Sequence, residues 1–300
     1  MVTNVTTVLA ATDLSRPAFA AVRRAALIAR AHGASLELLH VISESVRSAA
    51  WQELRAAFAP LEADIRSAVV DNLNAIAQQI ESETGVVAQA RTSDGKPFAE
   101  IAARGEAIGA DVIVVGAHGE NLLTPLLGTT AHRVLRHARR PVLVVKYTPA
   151  LEPATASQYR HIVLATDFSD DAREAARTAR RLFPQSSITL LHAFQAPFES
   201  KLVGRISDDA LRHHRQRAFE EAHRELEAFA TAVDLSAAPR LVRHGPAAPR
   251  IREYAADTSA DLIAIGSEEV PRLQNALLGS VSLDVVTQAP CDVLLCRTTS

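Results

Sequence analysis

The chain has 300 residues, 48% of them apolar, 22% charged and only 4% aromatic, with a formal net charge of −2. That length suits two domains of about 150 residues, and the composition is that of a globular protein with material for two cores. Near-zero charge and few aromatic side chains argue against a nucleic-acid partner, which would need a basic surface or stacking platforms.

The first apolar run, Val5–Thr12, is short and ends in Asp13. It lacks the pattern of a secretory signal, and no stretch approaches membrane-span length. The expectation is a cytoplasmic protein with no membrane partner. Further strands are expected at about 35–41, 86–91, 111–115 and 141–146. They are Val/Ile/Leu-rich and do not alternate, as suits a parallel sheet buried on both faces. Helical stretches separate them, so that the half reads as strand and helix repeated five times. Leu61, Ile65, Val69, Leu73, Ile76 and Ile80 recur at helical spacing and predict one apolar stripe. Asp13-Leu14-Ser15 supplies an N-cap candidate for the first helix.

After the fourth strand comes Gly116-Ala117-His118-Gly119, an eight-residue spacer Glu120–Leu127, then Gly128-Thr129-Thr130 opening a helix. Glycines let a backbone approach a phosphate closely, and a helix start offers unpaired N–H groups and a favourable dipole. Such a loop alone is weak, because glycine turns and Gly-Thr helix starts are common. Its recurrence is what gives it weight. Residues 147–160, with two prolines, read as a linker. Beyond it the pattern returns: Thr166-Asp167-Phe168-Ser169 matches Thr12-Asp13-Leu14-Ser15, Leu190-Leu191-His192 matches Leu38-Leu39-His40, and Gly266 and Gly279-Ser280 match Gly116 and Gly128-Thr129. Leu211, Ala218, Ala222, Leu226, Phe229 and Val233 form the second long helix's stripe. The chain is thus an internal duplication, with domains at 1–148 and 159–300. Alternating strand and helix predicts α/β architecture, two tandem doubly wound five-stranded parallel sheets. If strands one and four are neighbours, Asp13 and Gly116 share one crevice at the strands' carboxyl ends, where such sheets bind ligands.

The spacing G-x-x-G-x8–9-G-[ST], the early Asp, and the closing Ala138-Arg-Arg-Pro141-Val-Leu-Val-Val145 resemble universal stress proteins over both halves. The resemblance implies an adenine-nucleotide alpha-hydrolase-like fold, with ATP or a related adenine nucleotide bound in some members, with or without Mg²⁺. By position, Thr12, Asp13 and Val41 would face the base and ribose. Gly116, His118, Gly119, Gly128, Thr129 and Thr130 would hold the phosphates. The second-half counterparts are Asp167, Ala193, Gly266, Gly279, Ser280 and Val281. That site reads as degenerate, because Glu269, preceded by Glu268, stands where Gly119 does, and two carboxylates repel a polyphosphate. Arg272 would compensate in part, and Asp292 replaces Pro141. Family pairing through the last strands implies a homodimer or an intramolecular pseudo-dimer through 141–146 and 291–296.

The remaining candidates carry less. His40 and His192 read as structural residues at strand ends. His213, His214 and His223 diverge on one helix and make no ready chelate. Ser15 and Ser169 have no base partner at useful spacing, so no catalytic residue is assigned. Trp51, Leu54 and Phe58 read as core or interface. Cys291 and Cys296 read as buried free thiols that cannot bridge within one strand. Two readings compete with nucleotide binding: an interaction module without nucleotide, and an adenylyl-transferring enzyme, the latter disfavoured by the absence of its loop signatures.

Overall fold

The computed structural model describes residues 4–43, 49–119, 127–147, 159–267 and 278–298, with the side chains of 49–62 and of residue 200 left aside. Most of the linker, the spacer residues 120–126, and Glu268, Glu269 and Arg272 lie outside the described residues, as do the side chains of Trp51, Leu54, Phe58 and Leu61. The chain divides into two compact units, Met1–Gln158 and Tyr159–Thr298.

Unit 1 runs β1 (Thr7–Ala11), α1 (Arg16–His32), β2 (Ser35–Ser43), α2 (Ala49–Thr84), β3 (Ala88–Gly95), α3 (Pro97–Ala107), β4 (Val112–Gly116), α4 (Thr129–His137) and β5 (Val142–Val145). All its pairings are parallel, in the order β3-β2-β1-β4-β5. β1 therefore lies between β2 and β4, and the order reverses there. β1, β4 and β5 are buried almost throughout, as their unbroken apolar runs require once helices cover both faces. Four helices link the five strands, and no helix follows β5 among the described residues. The fifth strand–helix repeat expected from the sequence is therefore absent there.

Among the described side chains of the α2 stripe, the enclosed ones lie in its second half. Leu73 and Ile80 are fully enclosed, whereas Ile65 is 48% exposed. Length explains this. A 36-residue helix spans about 54 Å, roughly twice the 8-residue strand β3 at about 3.3 Å per residue. A helix of that length outruns the strand that follows it.

Unit 2 repeats the plan: β6 (His161–Ala165), α5 (Asp170–Leu182), β7 (Ser187–Phe194), α6 (Glu199–Leu202), α7 (Asp208–Ala232), β8 (Arg240–His244), α8 (Ala247–Asp257), β9 (Leu262–Gly266), α9 (Ser280–Gln288) and β10 (Asp292–Cys296). Its parallel order is β8-β7-β6-β9-β10. The one-turn helix α6 is the departure from unit 1's plan. Here the α7 stripe is enclosed at Leu211, Ala222, Leu226, Phe229 and Val233, while Ala218 is half-buried.

One device repeats that the sequence reading missed. The Asp111 carboxylate accepts from the backbone N–H groups of Thr6 and Thr7 at 2.7 and 3.1 Å. Asp261 does the same for Arg160 and His161 at 2.6 and 3.0 Å. Each closes the amino end of its unit's first strand. Asp292 has an equally local cause. Its carboxylate accepts from the Tyr159 hydroxyl at 2.6 Å with both residues buried, so a hydrogen-bonding side chain stands where Pro141 stands in unit 1. The Cys291 expectation needs correction. Cys296 is fully buried, and burial pushes its thiol far above the usual range, but Cys291 precedes β10 and is only half-buried.

Candidate functional site

At the carboxyl end of β1 the chain turns sharply into α1. Leu14 takes a left-handed φ of 67°, and its N–H donates to Thr12 Oγ1 at 3.0 Å. The Ser15 side chain then caps α1 by accepting from Ala18 N. Asp13 holds that cap, with Oδ1 accepting from the Ser15 N–H at 3.1 Å and from its hydroxyl. Unit 2 copies the turn through Thr166, Asp167, Phe168 (φ 68°) and Ser169. The expected N-caps are in place, and half of each Asp carboxylate serves its turn.

His40 Nδ1 donates to the Thr12 carbonyl at 2.9 Å, and His192 to that of Thr166 at 2.8 Å. Both histidines fix the backbone just before the Asp, the structural role the sequence suggested. Thr12 and Val41 are themselves nearly buried.

The glycine loop meets this turn at Gly119. Gly116 ends β4. Ala117 N donates to Val145 O, and Gly128 N to Ala117 O, both at 2.8 Å, which fastens the start of α4 beneath the loop. A Cβ on Gly119 would run into Asp13 Oδ2, and one on Gly128 would lie 3.3 Å from Ala117 O. The unit thus brings Asp13, His118, Gly119 and Gly128 together at the point of strand reversal. Thr129 and Thr130 are exposed in the first turn of α4. That turn has no side-chain cap, in contrast to α1. His132, Arg133, Arg136 and His137 lie in the same helix, which has no acidic residue. His132 is held below the usual imidazole range, first by burial and then by the charges of Arg136 and Arg133, a mark of positive local potential.

In unit 2 the matching Gly266 is required by packing. A Cβ on Gly266 would sit 2.5 Å from Ala172 N and from the Asp171 carbonyl carbon. Those are backbone atoms of α5, so only glycine fits and its presence needs no ligand. We expect Gly266→Ala to destabilise unit 2 by about 2 kcal/mol, measured by urea unfolding. Gly116→Ala, whose nearest neighbour would be 3.2 Å away, should cost clearly less; equal effects would refute this account. Asp171, where unit 1 has Pro17, is buried and accepts from the Thr298 N–H and hydroxyl at 2.7 and 2.6 Å. Asp167 remains exposed, Ala193 is half-buried, and Gly279, Ser280 and Val281 open α9 without a side-chain cap. Unlike α4, α9 carries no basic residue, and its Asp284 pairs with Arg252 at 3.0 Å.

The other histidines stay apart. His213 Nδ1 donates to Asp209 O, His214 Nε2 to Pro197 O, and His223 faces Glu227. Among the described residues no three His, Cys, Asp or Glu side chains form a metal-holding group.

The fold defines a tandem α/β protein in which a glycine loop meets the first turn at the strand reversal. The family model for the universal stress protein family matches residues 4–146 and again 158–297, so the chain belongs to the universal stress protein family, in tandem form. A universal stress protein of Thermus aquaticus is 34% identical over 144 residues, covering 46% of this chain and 99% of the relative. Universal stress protein G of Shigella flexneri is 31% identical over 126 residues, covering 42% and 87%. A crystal structure of a universal stress protein from Archaeoglobus fulgidus aligns over 98% of this chain and 99% of its own, with a TM-score of 0.67 at 18% identity. That last likeness supports the fold. Among the described residues no helix is long and apolar enough to cross a membrane.

Proposed function

We propose that unit 1 binds one adenine nucleotide and that the protein is a nucleotide-responsive stress protein of the cytoplasm. The observation that carries this is the close approach of Gly119 to the Asp13 carboxylate, which sets an acceptor beside a glycine loop. The uncapped first turn of α4 and the positive charge along that helix suit the phosphate end. Gly116, Gly119, Gly128, Thr129 and Thr130 would hold that end, with His118 at its side. An ionised carboxylate accepts hydrogen bonds and donates none, so Asp13 Oδ2 suits a ribose hydroxyl or base amine and repels phosphate. Val41, past Thr12 on the neighbouring strand, borders the base. Adenine is assigned because the family resembled by these motifs includes adenine-nucleotide binders. Among the described residues none is placed to activate a nucleophile, and in this reading the nucleotide acts by favouring one conformation, which requires different affinities for the two states.

In unit 2 the lack of basic residues in α9, the packing role of Gly266 and the sequence pair Glu268-Glu269 all argue for an empty or altered site. Nucleotide released from freshly purified, denatured protein and quantified by chromatography tests both halves of the reading. About one adenine nucleotide per chain is expected. Two per chain would refute the account of unit 2. None, with no heat on titration with ATP and Mg²⁺, would refute the account of unit 1 in favour of an interaction module.

A further inference from the structure

His132, Arg133, Arg136 and His137 crowd the nine residues of α4. His132 is the fourth residue of the helix, and its N–H donates to the Gly128 carbonyl at 2.9 Å. It stands about 6 Å along the axis from Gly128. Helical side chains lean toward the amino end, so the half-buried His132 ring leans back over the first turn, beside exposed Thr129 and Thr130.

The charges around that ring are cationic. Arg133 adjoins it, and Arg136 follows one turn on along the same face. His137 is drawn aside against Phe98 of α3, with ring centroids 4.6 Å apart. From the glycine loop His118 comes near, since a Cβ on Gly128 would lie 3.8 Å from the His118 Cα. Behind α4, β5 has no ionisable residue. On α3 each charged group is engaged elsewhere: Glu100 with Ser93 at 2.6 Å, Arg104 with Glu37, and Glu106 with Arg140 at 3.5 Å. Asp13, across the crevice, serves Ser15. Among the described residues no carboxylate pairs with His132, and burial, Arg136 and Arg133 hold its ring below the usual imidazole range. The ring is therefore neutral at neutral pH, and an anion brought to the helix start would favour its charged form. Unit 2 has none of this. Leu283, Asp284 and Thr287 stand 151 positions after His132, Arg133 and Arg136.

Resting on the nucleotide reading of unit 1, we propose that binding there is coupled to the uptake of one proton, taken from solvent by the His132 ring when phosphate settles at the start of α4. The phosphate charge offsets Arg133 and Arg136 and favours the imidazolium. An opposite charge at this range raises such a group by about one unit. The sign follows from linkage. His132 titrates low in the free chain and higher in the complex. Affinity is flat at alkaline pH, where the ring is neutral in both. It rises as pH falls through the value in the complex, and levels off below the value in the free chain. A rise of about one unit strengthens binding by about tenfold in all. A protein so built responds to acidification as well as to nucleotide.

Two measurements on the full chain test this. Isotope-selective NMR of the histidine rings, with His132 assigned by its loss in His132→Asn, should show its titration moving up by about one unit on addition of ATP and Mg²⁺. Isothermal titration with ATP and Mg²⁺ at about pH 6, in cacodylate and in imidazole buffer, should give heats that differ by the protons each buffer releases. His132→Asn should match the parent's affinity at alkaline pH and lose most of that uptake. On acidification it should gain about tenfold less affinity than the parent, which cancels any protonation of the nucleotide itself. His118→Asn should keep the uptake. A His132 titration that ATP leaves in place would overturn the proposal. So would uptake that survives His132→Asn or vanishes with His118→Asn, which would give the proton to another group. Absence of binding at every pH is a different result, and would remove the nucleotide site together with its proton.

Discussion

Gly119→Glu is expected to abolish the nucleotide binding proposed for unit 1 and to leave the unit folded. The substitution copies into the first loop the glutamate of the second, Glu269. Its Cβ meets Asp13 Oδ2, the outer end of an exposed side chain, which can swing aside. The cost to folding is confined to the bonds from Asp13 to Ser15, about 1 kcal/mol, and the Ser15 cap on Ala18 remains available. The cost to binding is larger. A carboxylate about 4 Å from a phosphate oxygen opposes it by about 4 kcal/mol at an effective dielectric of 20, about a thousandfold in Kd. Isothermal titration with ATP and Mg²⁺, alongside circular dichroism, measures both effects. Gly119→Ala separates shape from charge, since it displaces Asp13 without adding a carboxylate, and should lose far less affinity. A folded Gly119→Glu protein that binds as tightly as the parent would remove the phosphate from this loop.

The parts of this crevice that the sequence announced are those set by neighbours in the chain. Thr12-Asp13-Leu14-Ser15 recurs as Thr166-Asp167-Phe168-Ser169, and both copies form the same turn because each hydrogen bond in it spans two or three residues. The adjacency of β1 and β4 was only a condition in the sequence, because parallel strands joined by helices still permit several orders, and the fold supplies it. What escaped depends on residues far apart. Gly266 looked like a remnant of a phosphate loop, and only its contact with α5 backbone shows that packing alone demands glycine there. Asp111 serves Thr6 and Thr7 across about a hundred residues. Glu199 of α6 joins Arg215 of α7 and His244 at the end of β8, and no spacing rule relates those three. The α2 stripe shows the opposite failure. A correct period gave the apolar face but not how far the sheet beneath it reaches.

Arg104→Ala should be among the costliest single substitutions in unit 1, at about 3 kcal/mol, although Arg104 lies away from the crevice. Glu37 sits in β2 with its neighbours Leu36 and Leu38 in the core, and is itself only 7% exposed. A carboxylate so placed has left water and needs a partner. Arg104 of α3 supplies it through two hydrogen bonds, Nε to Oε1 at 2.7 Å and Nη2 to Oε2 at 2.6 Å. The hydrogen bond to Glu37 in turn holds the Arg104 guanidinium above its usual value, against the opposing effect of burial. Truncating the arginine strands the carboxylate, a loss of about 3–5 kcal/mol for buried pairs. The lower end applies because the Arg104 side chain is 27% exposed and water can enter in its place. In a unit of this size that lowers the melting temperature by about 10 °C. Arg104→Lys keeps the charge but loses the two-pronged geometry, and should fall between. The double replacement Glu37→Leu with Arg104→Leu should recover most of the loss, because it removes the charge that was left unpaired. Thermal and urea unfolding of the three variants would show that order. If Arg104→Ala melts with the parent, the pair is a solvated surface contact, and the register of β2 against α3 owes nothing to it.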